Sequence, residues 1–144
     1  MAQTVADALA QTKLFTDGQS YNVIRLPASA IAEAANVVAE TERRFGVLIA
    51  DKDEVTLVVP VDAWGRLASR IPGAEVSPKR YRLITFDVIL DFALVGFMAR
   101  VSQALAEAGV SILPYAAFTR DHVLVPEEQF PAAWAALEQL KSAR

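Results

Sequence analysis

The sequence repeats part of itself, and this repeat constrains the fold more than any other feature. The segment VTLVVPVDAWGRLASRI, which ends at Ile71, matches DHVLVPEEQFPAAWAAL, which ends at Leu137. In this alignment Pro60 falls on Pro126, so a strand pattern, a proline and a helix pattern are kept together. Similar strand patterns, YNVIRLP and YRLITFD, precede the two copies. The repeat predicts two similarly folded halves.

Each half shows the order strand, helix, strand, strand, helix. The elements predicted in the first half are strands at 21–26, 47–50 and 55–59 and helices at 29–43 and 62–71. Those predicted in the second half are strands at 82–90, 110–118 and 121–125 and helices at 94–108 and 127–140. This order predicts an α+β fold of two ferredoxin-like βαββα(β) units, with antiparallel sheets and the helices on one face.

The best candidate for a linker between the halves is PGAEVSPK, residues 72–79, because it contains two prolines and a glycine. We therefore expect an N-terminal unit over 1–76 and a C-terminal unit over 77–144. A ferredoxin-like unit normally has a fourth strand, and no strand pattern follows the last helix. We expect residues 12–27, TKLFTDGQSYNVIRLP, to contain two short strands and to complete the second sheet.

Composition excludes several classes of protein. The 144 residues are 53% hydrophobic, with a mean hydropathy of +0.28, which is enough for a folded core. Fourteen basic residues against 17 acidic ones leave a net charge of −3, so nucleic-acid binding is not expected. No apolar run approaches the roughly 20 residues of a membrane span, and the N-terminus lacks a signal-peptide pattern. We expect a cytoplasmic protein without a membrane partner.

The inventory of reactive side chains argues against catalysis. The chain has no cysteine and one histidine, so an enzyme built on a serine or threonine nucleophile would depend on His122 as its base. A lone histidine in an apolar strand is usually structural, and we expect no catalytic residue, no metal and no cofactor. The carboxylates Asp51, Asp53 and Glu54 lack the spacing of a calcium loop and indicate a polar turn. The helix aromatics Trp64 and Phe130, with Trp134, are expected in the core.

One segment, LVGFMARVSQALAEAGVSI, combines a helical apolar stripe with a glycine, Gly109, placed for a left-handed helix cap. It resembles the signature of ACT domains, in which a glycine, here Gly96, opens the first helix and LAEAG leads into an aliphatic strand. The flanking DFALVGF and FTRDHVLVPEE are similar to short tandem ACT proteins related to CASTOR-type amino-acid sensors. The resemblance covers roughly residues 12–141, with a degenerate first copy, and Val95 stands where many ACT domains have proline.

The resemblance implies a non-enzymatic regulatory protein that binds an amino acid or a related small metabolite. In that family the ligand lies between ACT units, so a homodimer is implied, together with a regulated partner protein. The loop before the helix that starts near Gly96 would hold the ligand, with the ends of the strands facing it. Carried over by position, the ligand-binding residues are Asp91, Phe92, Ala93, Leu94, Val95, Gly96, Ala117, Phe118 and Asp121.

The chemistry of this loop also supports a ligand. A glycine at a helix start lets a ligand approach the backbone, and the free N–H groups there favour a carboxylate. Asp121 or Asp91 would then bind an ammonium or guanidinium group. The alternatives are that Gly96 allows close packing of helix and sheet, that Asp91 caps the helix and that Asp121 is a solvated turn residue. A protein–protein association module without a ligand remains the competing function.

Overall fold

The computed structural model describes residues 2–42 and 44–143. They form two compact units. The first unit combines the described residues up to Gly18 with those from Arg82 onward, and the second spans Gln19–Tyr81. The division into ACT-like units at 1–76 and 77–144 stays a prediction, and the compact units differ from it in where they place the residues before Gln19.

Both units contain the predicted order of elements. The helices of the described residues are α1 (Val5–Gln11), α2 (Ile31–Ala39), α3 (Val61–Leu67), α4 (Phe97–Glu107) and α5 (Phe130–Ser142). The strands are β1 (Lys13–Phe15), β2 (Ser20–Pro27), β3 (Val47–Ala50), β4 (Glu54–Pro60), β5 (Glu75–Val76), β6 (Tyr81–Asp87), β7 (Leu113–Ala116) and β8 (Asp121–Pro126). Short 3-10 turns precede α2 and α5 and follow α3. The α+β, ferredoxin-like fold is confirmed.

In the first unit the strand order is β1-β6-β8-β7. Strand β1 runs antiparallel to β6, with Leu14 opposite Phe86. The N-terminal residues therefore complete this sheet, as expected. Strand β7 lies at the end of the order and pairs antiparallel with β8. Pro114 of β7 lacks an N–H group, which an edge strand tolerates.

The second unit repeats this plan with strands β3, β4 and β2 side by side and β5 on the far edge of β2. Ile24 of β2 lies opposite Leu57 of β4 and opposite Val76 of β5. Strand β5 thus takes the position that β1 takes in the first unit. The core between this sheet and helices α2 and α3 includes Ala34 and Trp64.

Helices α1, α4 and α5 pack on one face of the first unit's sheet. The buried residues of this core are Ala8, Leu9, Ile84, Phe86, Phe97, Val101, Leu105, Val110, Val123, Val125, Ala133 and Leu137. Burial of each large apolar side chain contributes about 1.5–3 kcal/mol, so this layer fixes where α4 begins and ends. Phe130 and Trp134 are partly buried and pack against the same core.

The end of α4 confirms the predicted left-handed cap. Gly109 has a φ of 73°, and its N–H donates to the Ala106 carbonyl at 3.0 Å. The N–H of Val110 donates to the Leu105 carbonyl at 2.9 Å, which completes a Schellman motif. The predicted strand start at residue 110 is wrong, because Val110 belongs to this cap and β7 begins at Leu113.

Two further predicted boundaries were wrong. The strand predicted to reach residue 90 ends at Asp87, because the Val88 N–H turns back to the Phe86 carbonyl at 2.9 Å. The first long helix ends at Ala39, and Glu42 has a positive φ of 61°. Its predicted last residue, Arg43, lies outside the described residues.

Helix α1 was not predicted. It begins at the N-cap Thr4, whose side chain accepts a hydrogen bond from the Asp7 N–H at 3.1 Å. Its buried residues are Ala8 and Leu9. A seven-residue helix of this kind depends on packing for its stability. No helix in the described part of the chain is both long and apolar enough to cross a membrane.

Candidate functional site

A cavity of about 630 Å³ lies in the first unit, where the loop from β6 to α4 meets the turn from β7 to β8. Its lining residues are Leu90, Asp91, Phe92, Leu94, Gly96, Phe97, Met98, Ala99, Ala116, Ala117, Phe118, Thr119, Arg120 and Asp121. The walls are largely apolar, and the polar groups come from the first turn of α4, two aspartates, Thr119 and Arg120. This combination suits a small ligand with a polar head.

Most of the predicted site residues meet in this cavity. Those that line it are Asp91, Phe92, Leu94, Gly96, Ala117, Phe118 and Asp121. Ala93 and Val95 are outside the lining, and Val95 is 87% exposed. Sequence reasoning missed Thr119 and Arg120 of the turn and Met98 of the helix. Binding of a ligand by any of these residues stays a prediction.

The N-terminus of α4 presents backbone donors to the cavity. Gly96 occupies the N-cap with a φ of 98° and no side-chain cap, and the first helical bond runs from the Arg100 N–H to the Gly96 carbonyl at 3.1 Å. The N–H groups of 97–99 therefore have no acceptor within the helix. Their partial positive charge favours an anionic group such as a carboxylate.

The role of Gly96 is set by its backbone conformation. A Cβ added to Gly96 would lie 3.8 Å from Val5 Cγ2, which is an ordinary van der Waals contact. Close packing of helix and sheet therefore does not require this glycine, and that alternative was wrong. A φ of 98° lies in the region that residues with side chains avoid. Asp91 does not cap α4 either, because the N-cap is Gly96.

Asp121 supplies a carboxylate to the cavity. It is the first residue of β8 and is half-buried. Burial raises the pKa of its carboxyl, and no charged neighbour in the described part of the chain offsets this rise. Arg120 instead places its Nε 3.3 Å from Asp87 Oδ1. A cationic group entering the cavity would relieve the desolvation of Asp121.

Backbone hydrogen bonds hold the two loops together. The Leu90 N–H donates to the Thr119 carbonyl at 2.7 Å, which joins the β6–α4 loop to the β7–β8 turn. Within the turn, the Ala117 N–H donates to the Arg120 carbonyl at 3.0 Å. Within the loop, the Leu94 N–H donates to the Asp91 carbonyl at 3.0 Å. These bonds join the two walls of the cavity and order each of them.

The two loops also carry exposed apolar side chains, which we call the apolar rim: Ile89, Phe92, Val95 and Phe118. They are 66%, 80%, 87% and 78% exposed. The rings of Phe92 and Phe118 meet edge to face, with centroids 4.8 Å apart. Large apolar side chains grouped at one place on a surface are typical of an interaction site.

His122 has a structural environment. Its Nδ1 shares a hydrogen bond of 2.8 Å with Thr85 Oγ1 on the neighbouring strand. Burial, together with the charge of Arg120, lowers the pKa of the imidazole, which favours its neutral form. His122 does not line the cavity. The described residues contain no group of three or more His, Cys, Asp and Glu side chains placed to hold a metal ion.

Comparison with known families identifies this part of the chain. Residues 76–139 match the model of the ACT domain family. This matched region is similar to ACT domains, and we refer to it below as the ACT domain. This ACT domain includes both loops of the cavity and the apolar rim. A comparison with curated proteins found no match.

Several solved structures share the fold of the whole chain. A protein of unknown function from Vibrio cholerae, a possible transport protein, is 23% identical with a TM-score of 0.72, and the match covers 93% of each chain. A protein from Agrobacterium tumefaciens is 24% identical with a TM-score of 0.70, over 90% of this chain and 89% of that one. The ligand-free regulatory subunit of aspartate kinase from Thermus thermophilus is 18% identical with a TM-score of 0.63, over 90% and 97%. The chain thus shares its fold with these proteins.

Proposed function

We propose that this protein is a non-enzymatic regulatory protein that binds an amino acid in the cavity of its ACT domain. The observation that carries the proposal is the pairing of two opposite polar groups in one cavity. Uncapped N–H groups of α4 face it from one element, and the uncompensated carboxylate of Asp121 faces it from another. A free amino acid carries the two complementary charges on groups that are bonded to the same carbon atom.

In this proposal the α-carboxylate binds the N–H groups of residues 97–99, and the α-ammonium binds Asp121. Charge-assisted hydrogen bonds of this kind contribute more than neutral ones. The side chain of the ligand packs against the apolar wall, which includes Phe92, Leu94 and Met98. The ligand therefore replaces water at both polar groups and also buries apolar surface.

We propose a homodimer in which the ligand lies between the ACT units of two copies. The apolar rim supports this arrangement, because Phe92 and Phe118 line the cavity and all four rim side chains are largely exposed in the single chain. A stable interface buries roughly 800 Å² on each partner, with apolar residues at its centre. A second copy seated on the rim would cover these side chains and close the cavity around the ligand.

The proposed regulation is a population shift. A ligand that contacts two ACT units stabilises one arrangement of the pair, which a regulated partner protein then reads. We further propose that the protein acts in the cytoplasm as a relative of the CASTOR-type amino-acid sensors, without a nucleic-acid or membrane partner. The regulatory subunit of aspartate kinase supports the regulatory part of the proposal at the level of the fold.

The test is a thermal-shift screen of the purified protein against the twenty amino acids. A ligand at 100 times its Kd stabilises the folded state by about 2.7 kcal/mol, which raises Tm by several degrees. We expect a selective shift that is lost in Asp121→Ala and kept in the control Asp53→Ala, which removes an exposed aspartate from the equivalent hairpin of the second unit. An equal shift in all three proteins would contradict the proposed site.

The apolar rim also supports a second candidate function, an association module that holds no ligand. In that case the screen is flat for all twenty amino acids, and the protein is a stable dimer by sedimentation. Phe92→Asp places a charge in the rim and should convert that dimer to monomer. Ile49→Asp is the control, because Ile49 is an exposed apolar residue of the second unit.

A further inference from the structure

Gln3 reaches the cavity loop from the other end of the sequence. Its side-chain Nε2 donates to the Ile89 carbonyl at 2.9 Å, and its Oε1 accepts from the Asp91 N–H at 2.9 Å. Both partners belong to the loop between β6 and α4. The side chain thus bonds to backbone groups of two loop residues that are separated by one residue, Leu90.

This pair of bonds resembles strand pairing. A residue of an adjacent parallel strand would likewise donate to the carbonyl of one residue and accept from the N–H two positions later. A carboxamide carries a donor and an acceptor on one rigid plane, so it reproduces the pattern with a single side chain. The reversed orientation of the amide would face a carbonyl with an oxygen and an N–H with a donor. The two loop groups therefore determine the orientation of Gln3.

The position of Gln3 is fixed by helix α1. Thr4, the next residue, caps that helix, and Ala8 and Leu9 anchor it in the core of the first unit. Val5 also faces the loop, because its Cγ2 is the nearest atom to a Cβ built on Gly96. The N-terminal segment therefore contacts the loop near both of its ends, at Asp91 and at Gly96.

We propose that Gln3 is a positioning residue that holds the cavity loop in its ligand-binding conformation. Strand β6 ends at Asp87, so the loop has no ladder of its own at Ile89 and Asp91. The Gln3 amide supplies hydrogen bonds that a neighbouring strand would otherwise make. It thereby holds in place the part of the cavity wall that contains Asp91 and Phe92. Anything that moves α1 away from the core would release this wall. The positioning role is independent of ligand identity, and its consequence for binding rests on the proposed function.

The test is amide hydrogen exchange of the full-length protein, measured residue by residue by NMR without ligand. Gln3→Met keeps the length of the side chain and removes both hydrogen bonds. We expect the Asp91 N–H to exchange roughly three- to tenfold faster in this variant. Gln3→Glu keeps an acceptor for the Asp91 N–H but loses the donor to Ile89, so exchange at Asp91 should be intermediate. The matched control is Gln11→Met, since Gln11 is an exposed glutamine at the other end of α1.

Unchanged exchange at Asp91 in Gln3→Met would overturn the proposal. So would equal acceleration throughout the first unit, since that reports a loss of global stability. Local acceleration confined to the loop, with Gln11→Met like the wild type, supports it. The proposed function fails by a different result, the absence of any thermal shift with the twenty amino acids. The exchange data decide the role of Gln3 in either case.

Discussion

The two units build the same fold with different connections between the first strand and the first helix. In the second unit, β2 ends at Pro27 and the chain enters the helical turn Ala28–Ala30 at once. In the first unit, residues 88–96 separate β6 from α4. The corresponding cavities differ accordingly, with about 250 Å³ between the end of β2 and the β3–β4 hairpin and about 630 Å³ in the ACT domain.

The hairpins that face these connections also differ, in the surroundings of an aspartate carboxylate. In the β3–β4 turn, Asp51 Oδ1 accepts from the N–H groups of Asp53 and Glu54 at 2.8 and 2.9 Å, so its charge is used inside the turn. At the start of β8, Asp121 lines the cavity, and burial raises the pKa of its carboxyl. The hairpin carboxylate of the second unit is thus hydrogen-bonded inside its turn, whereas that of the first unit lies at the cavity. The two units share the fold, and the proposed binding function rests on the loops.

The largest expected effect tests whether the two cores are equivalent. Leu105 and Leu57 are fully buried in the first and second units. We expect Leu105→Ala and Leu57→Ala each to lower the free energy of unfolding by roughly 2–5 kcal/mol, because each leaves a cavity in a packed core. Urea unfolding measures both. A loss of unfolding free energy below about 1 kcal/mol for one variant would contradict the comparison, because the two units would then differ in their cores as well as in their loops.

The next prediction separates the effect of the cavity loop on ligand binding from the effect of its backbone strain on stability. Gly96 and Gly109 both have positive φ, and a Cβ on either meets no close contact. We expect Gly96→Ala and Gly109→Ala to cost a similar amount, about 1–2 kcal/mol, because each forces alanine into a left-handed conformation. Only Gly96→Ala should also abolish the thermal shift with an amino acid. Loss of that shift in Gly109→Ala would show that stability, and not the loop, controls binding.

The smallest effect compares the two hairpins by their dependence on pH. Burial raises the pKa of Asp121, so its ionised form is disfavoured in the folded state at pH 7. Asp121→Asn should raise Tm at pH 7, and the gain should vanish below the ordinary pKa of 3.8. Hydrogen bonds from Asp53 and Glu54 lower the pKa of Asp51, so its ionised form stabilises the fold at pH 7. Asp51→Asn should lower Tm there, and the deficit should fade as the pH falls through the lowered pKa.

The same two variants can be followed by thermal unfolding between pH 3 and pH 7. Effects of the same sign for Asp51→Asn and Asp121→Asn would contradict the contrast between the hairpins. Effects of opposite sign at pH 7 that converge in acid would sharpen it.

The sequence predicted the elements of the fold well, because hydrophobic periodicity and the repeat report local geometry. The stripe on α4 and the cap at Gly109 are both local signals, and both were confirmed. Boundaries failed where a local backbone hydrogen bond interrupts an apolar pattern that continues in the sequence, as at Val88 after β6. Helix α1 was missed because its stability depends on distant contacts, since Ala8 and Leu9 pack in a core built from residues after 82.

The candidate site shows the same limit. The loop and Asp121 were predicted because a resemblance and a glycine at a helix start point to them. Gln3 and Arg120 were missed, because the hydrogen bonds and the ion pair that give them a role join residues far apart in the chain or on neighbouring strands. In the sequence, Gln3 is one polar residue before a short helix. No local pattern distinguishes it from Gln11.

The central claim is that the ACT domain loop, and not its counterpart in the second unit, binds an amino acid. The most direct measurement is an NMR titration of the backbone amides with the amino acid that gives the largest thermal shift. The account predicts saturable changes at Gly96, Met98 and Asp121, with residues 28–30 and Asp53 unaffected. Saturable changes centred on residues 28–30 and Asp53, or none at Gly96 and Asp121, would contradict it.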